Sequence, residues 1–132
     1  MDSVKSKMNN LIDSMKEQLF EMGDAIYDHP EIGLQEVFAG KLLEDWLENH
    51  GFLVERGLGS MPTAFRAVYE QGTGGPSIGL LTEYDALAGI GHACGHHLQG
   101  PCILAAANAV LRDGIKKTFK LVGYGTPTEE TL

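Results

Sequence analysis

The chain has 132 residues, 43% of them hydrophobic and 21% charged, which suits one globular domain with a core and excludes a disordered segment. A formal net charge of −8 repels phosphate backbones and anionic lipid and attracts cations, so neither nucleic acid nor a membrane surface is expected as a partner. No run reaches the roughly 20 apolar residues of a membrane span, Met1-Asp2 opens a polar stretch rather than a secretory signal, and two cysteines make no disulfide framework, so a cytoplasmic location is expected.

Apolar residues at Val4, Met8, Leu11, Ile12, Met15, Leu19, Met22 and Ile26 fall at steps of three and four, which predicts one amphipathic helix. Ser3 is its expected N-cap, and Pro30 stops it near Asp28 or His29. A second helix is predicted over 35–49, with Phe38, Leu42, Leu43, Trp46 and Leu47 inward and Gly51 past its end. Short strands are predicted over 52–55 and 64–69, followed by the turn-rich segment Gln71 to Pro76. Residues 77–82 are almost continuously apolar, as a strand buried on both faces would be. An Ala-rich helix over 101–112, with Pro101 near its first position, leads to a strand over 118–124 and a turn at Gly125-Thr126-Pro127. The order predicts an α/β domain, a three-layer αβα arrangement with a mixed, mostly parallel sheet. No repeat or linker divides the chain.

The densest chemistry lies in Gly91-His92-Ala93-Cys94-Gly95-His96-His97, where four potential metal ligands fall within six residues. Thiolate and imidazole are donors that zinc favours. In an extended segment His92, Cys94 and His96 would share one face and His97 the other. Each of these residues alone is more economically a packed or capping side chain; the cluster is harder to explain that way. Glu83-Tyr84-Asp85 follows the predicted strand over 77–82, where ligands of open α/β sheets collect. Asp85 there can bind metal or accept a hydrogen bond from a ligand histidine, and its bland alternative is a turn carboxylate. Glu129-Glu130 follows the last strand, and adjacent carboxylates can divide into one that binds an ion and one that moves a proton. Alone such a pair is ordinary solvated charge.

Three segments together resemble the zinc aminoacylase and carboxypeptidase superfamily of metallopeptidases, in particular its amidohydrolase branch of aminobenzoyl-glutamate hydrolase and related dipeptidases. They are His29-Pro30-Glu31-Ile32-Gly33, the run from Glu83 to His97, and Gly125-Thr126-Pro127-Thr128-Glu129-Glu130. The resemblance implies that Cys94 bridges two metal ions, that His96 and Glu130 are further ligands, and that Glu129 is the general base. It implies that Asp85 and His92 support the site without binding metal. The implied ions are zinc, with manganese or cobalt as substitutes, and the implied reaction is hydrolysis of an amide bond in an N-acyl amino acid or dipeptide.

The sequence also departs from that pattern. Ala88 stands where proline is common, His97 where aspartate or asparagine is usual, and Thr131-Leu132 where a glycine-rich run follows the glutamate pair. The expectation is therefore the N-terminal part of a catalytic domain, truncated, with the inserted dimerisation domain and the C-terminal half absent. Such a chain would bind metal weakly or at one position, hydrolyse little, and form homo-oligomers through uncovered apolar surface. The alternatives are a non-catalytic remnant that binds metal or a protein, and a thiol-dependent enzyme using Cys94 with His96 or His97 as base.

Overall fold

The computed structural model describes residues 3–112 and 117–130; Met1-Asp2 and the closing Thr131-Leu132 lie outside the described residues. Eight main elements follow one another: α1 (Val4–Ser14), α2 (Lys16–Asp28), α3 (Val37–Asn49), β1 (Leu53–Arg56), β2 (Phe65–Gln71), β3 (Ser77–Thr82), α4 (Gln99–Arg112) and β4 (Phe119–Gly125). Ser3 caps α1 as expected, its Oγ accepting the Ser6 N–H at 3.2 Å.

The single helix expected over the first stripe is two. Met15 leaves helical geometry at φ −103°, ψ −2°, and the Ser14 hydroxyl donates back to the Leu11 carbonyl at 2.6 Å. A back-bonded serine bends a helix by competing for its carbonyls. Both halves still lie against α4. Met22 and Ile26 of α2 enter the core, whereas α1 contributes no buried residue. In α3, Leu43, Trp46 and Leu47 are buried as the pattern requires, and Phe38 sits at the margin, stacked on His29 with ring centroids 4.3 Å apart.

The sheet has the order β1-β2-β4-β3. The α/β class and the mixed sheet are as expected, but the strand directions need correcting: β1–β2 and β2–β4 are antiparallel, and β3–β4 alone of the three pairings is parallel. The reason is connection length. A short loop joins β1 to β2, which suits an antiparallel pair, while β3 reaches β4 through α4, the crossover that a parallel pair needs. Phe65, Ala67, Phe119 and Leu121 meet α3 and α4 on one face, with Leu43, Trp46 and Leu104 completing the core. The opposite face carries Leu53, 78% exposed, and Leu81, 61% exposed, so the described helices supply one layer where helices on both faces were expected. β3 consequently lies at the sheet edge, not buried on both faces. Among the described residues, no helix is long and apolar enough to cross a membrane.

The segment His29 to Gly33 is a structural tie. Glu31 caps α3 by accepting the N–H groups of Phe38 and Ala39 at 2.9 and 3.0 Å. Its carbonyl accepts the Ala86 N–H at 2.8 Å, which fastens the loop after β3.

Candidate metal centre

The parallel β3–β4 pair decides where the chemistry gathers. Thr82 is in register with Gly125, so the segments leaving both strands emerge at one edge of the sheet. One segment carries Glu83 and Asp85, and the other carries Glu129 and Glu130. The Thr126 N–H and hydroxyl both bond to the Thr82 carbonyl, at 2.9 and 3.0 Å, and hold the second segment against the first.

His96 is brought to the same edge by a turn, which corrects the extended reading of this segment. Gly91 and Gly95 take left-handed backbone (φ 69° and 87°), and residues 96–98 form a 3-10 turn that runs into α4. Glycine tolerates such φ values, so the chain coils and the alternation of side chains is lost. His96 and His97 thus part company. His92 and His97 turn toward α2, where their rings lie 5.4 Å apart and 6.5 and 5.0 Å from the Tyr27 ring. Burial pushes the imidazoles of both His92 and His97 below their ordinary range.

His96 is buried and held by both ring nitrogens. Its Nδ1 lies 3.0 Å from Asp85 Oδ1 and 3.1 Å from the Asp85 carbonyl, two acceptors that place the proton on Nδ1. Nε2 then points its lone pair at Glu83 Oε2 (3.1 Å), Glu130 Oε1 (3.6 Å) and Glu129 Oε2 (3.8 Å). An imidazole lone pair facing carboxylates is repulsive unless a cation or proton lies between them, and the donor set is one that zinc accepts. The residues therefore fit a divalent ion. Donor atoms of Glu83, His96 and Glu129 all lie within 4.8 Å of one another.

Glu83 is the residue that the sequence pattern alone did not single out. It stands beside Asp85, and nothing local distinguishes the two acids. The fold gives them different tasks. Gln99, in the first turn of α4, donates to Glu83 Oε2 at 2.8 Å and accepts the Glu83 N–H at 3.0 Å, which aims that carboxylate at Nε2. Asp85, 1% exposed, orients the ring from behind, and its Oδ2 accepts the Glu130 N–H at 2.8 Å.

Cys94 is exposed and stands beside Glu130, outside the tight three-donor group. The hydrogen bond to the Glu130 carboxylate, with burial and nearby acids adding to it, pushes its thiol above the ordinary range. Activated cysteines are lowered instead, so the thiol-enzyme alternative lacks its nucleophile.

No family model matches the chain. A p-aminobenzoyl-glutamate hydrolase of Escherichia coli (strain K12) is 35% identical over 154 residues, covering 98% of this chain and 31% of that protein. The Xaa-Arg dipeptidase of Homo sapiens is 35% identical over 147 residues, covering 98% of this chain and 34% of that enzyme. Among solved structures, the Bacillus subtilis YXEP protein, described as a dinuclear metal binding peptidase from the M20 family, superposes with a TM-score of 0.75 at 25% identity, over 89% of this chain and 36% of that one. The aminobenzoyl-glutamate utilization protein of Klebsiella pneumoniae shares the fold, with a TM-score of 0.70 at 16% identity, over 94% of this chain and 40% of that one. The chain spans about a third of the length of the curated relatives it matches. Over that third, sequence and fold make it a homologue of the M20 family of amidohydrolases and dipeptidases.

Proposed function

We propose that this chain is part of the catalytic domain of a metal-dependent hydrolase that cleaves amide bonds in N-acyl amino acids or dipeptides. The observation that carries the reading is the meeting of Glu83, Glu129 and Glu130 around the unprotonated nitrogen of His96, in a chain whose relatives are amidohydrolases and dipeptidases. His96, Glu130 and Cys94 would hold the ion, with Glu83 as a further oxygen donor. Zinc suits this mixture of nitrogen, oxygen and sulfur best, with manganese or cobalt as substitutes. When bound, it would polarise the scissile carbonyl and make water more acidic.

The remaining work belongs to the side chains. Glu129, half exposed and 3.8 Å from His96, takes a proton from the attacking water and returns it to the leaving amine. Asp85 keeps the His96 proton on Nδ1, and Gln99 keeps Glu83 turned inward. Two free cysteines accord with a reducing compartment, and a cytoplasmic location is part of the proposal.

The donors gathered among the described residues serve one four-coordinate ion rather than two. Elemental analysis of the zinc-loaded chain is expected to give at most one ion per chain, with little or no hydrolysis of an N-acyl amino acid panel. Two tightly held ions, or turnover that survives a chelator, would overturn the reading. A binding module without catalysis is the second reading, favoured by the position of Cys94 outside the tight donor group; metal binding with no turnover in any longer form of the protein would select it.

A further inference from the structure

Glu36 lies outside the donor cluster and outside each motif the sequence singled out. It sits immediately before α3 with 0% exposure. Its Oε1 accepts the Thr128 N–H at 2.8 Å, and its Oε2 accepts the Thr63 hydroxyl at 2.8 Å. The Thr63 carbonyl in turn accepts the hydroxyl of buried Tyr84, at 2.5 Å. One carboxylate therefore joins the start of α3, the loop before β2 and the loop after β4.

The third connection bears on the site, because Thr128 directly precedes Glu129. Thr128 has φ +60°, a left-handed conformation that a β-branched residue rarely adopts. Such a turn persists where its surroundings hold it. A buried carboxylate with nothing to bond would itself be unfavourable, and here one of its oxygens is committed to this turn.

We propose that Glu36 is a positioning residue: by binding the Thr128 N–H it fixes the left-handed turn that aims Glu129 and Glu130 at His96. Asp85 secures the far side of the same turn through the Glu130 N–H, so the two glutamates are suspended between two buried carboxylates. The effect on the turn stands by itself. The effect on metal affinity rests on the function proposed above.

The test compares Glu36→Leu, Glu36→Gln and Thr63→Val in the full chain, by amide hydrogen exchange and by titration with cobalt(II) alone. Leucine removes the acceptor. Glutamine keeps it, since its amide oxygen can take the Thr128 N–H while its amide nitrogen meets the Thr63 hydroxyl. Glu36→Leu is expected to speed Thr128 exchange by about tenfold or more, while Val68 and Val122 in the sheet stay protected. Cobalt affinity should fall by about 10–100-fold, the usual effect of losing a support behind a metal ligand. Glu36→Gln should restore both readouts to near wild type, and Thr63→Val should fall between. Unchanged Thr128 exchange in Glu36→Leu, or a glutamine variant as impaired as leucine, overturns the proposal. If leucine variants unfold, Thr63→Val decides, and unchanged Thr128 exchange there overturns it equally. A wild-type chain that binds no cobalt, yet shows the exchange effect, refutes the metal reading and supports the clamp.

Discussion

Asp85 shows how much of the site depends on one buried side chain. One carboxylate oxygen orients His96 through Nδ1 and the other holds the backbone of Glu130, so a single residue joins the segments after β3 and after β4. Asp85→Ala strands both donors, at about 1–3 kcal/mol for each that stays buried and unpaired. Urea unfolding should therefore show a lower midpoint. Asp85→Asn should lie between, because its amide oxygen can satisfy one donor while its amide nitrogen opposes the other. Equal stability of all three proteins would contradict this account of the joint.

At the scale of elements, two junctions make distinct predictions. Arg56 of β1 reaches α3, with Nε 2.6 Å from Glu44 and Nη1 2.9 Å from Glu48. The hydrogen bond from Arg56 holds the Glu48 carboxyl below its ordinary value. A carboxyl lowered on folding adds stability above the unfolded value, and that stability is lost as pH falls through the folded one. Glu48→Gln should therefore be less stable than wild type at neutral pH and equal to it in strong acid, as denaturation at both conditions can check. The α3–α4 junction is closer. A Cβ at Gly100 would meet Leu43 Cδ2 at 2.5 Å and Cδ1 at 3.1 Å, and Leu43 is fully buried. Overpacking of this kind costs about 1–3 kcal/mol and outweighs the roughly 1 kcal/mol that alanine gains in helix propensity. Gly100→Ala should lower the Tm, and the loss should shrink in a Leu43→Ala background, where the clash is relieved.

For the molecule as a whole, the unequal faces of the sheet matter most. Helices cover Phe65, Ala67 and Leu121, while Leu53, Leu81 and Tyr124 look outward on the other side. Exposed apolar surface and an unpaired strand edge both favour association. Light scattering is expected to show this chain growing in mass with concentration, and Leu53→Lys with Leu81→Lys should suppress it. A monodisperse monomer at high concentration would show that the charge of −8 is enough to keep the copies apart.

Read alone, the order of residues specifies the elements and the chemical inventory. Strand β3 falls at 77–82 as its apolar run demands, and a cluster of histidine, cysteine and paired glutamates is legible because few segments collect such donors. Those signals are local: periodicity reports which face of a segment avoids water, and spacing reports which donors are neighbours in the chain. Packing settles the remainder. The break at Met15 depends on how two short helices meet α4, and the edge position of β3 depends on which strands pair. Glu83 joins the centre, and His92 leaves it, because left-handed glycines coil the segment between them. Glu36 and Thr128, 92 positions apart in sequence, are joined by the closing of the fold around a buried carboxylate, a contact that no local pattern encodes.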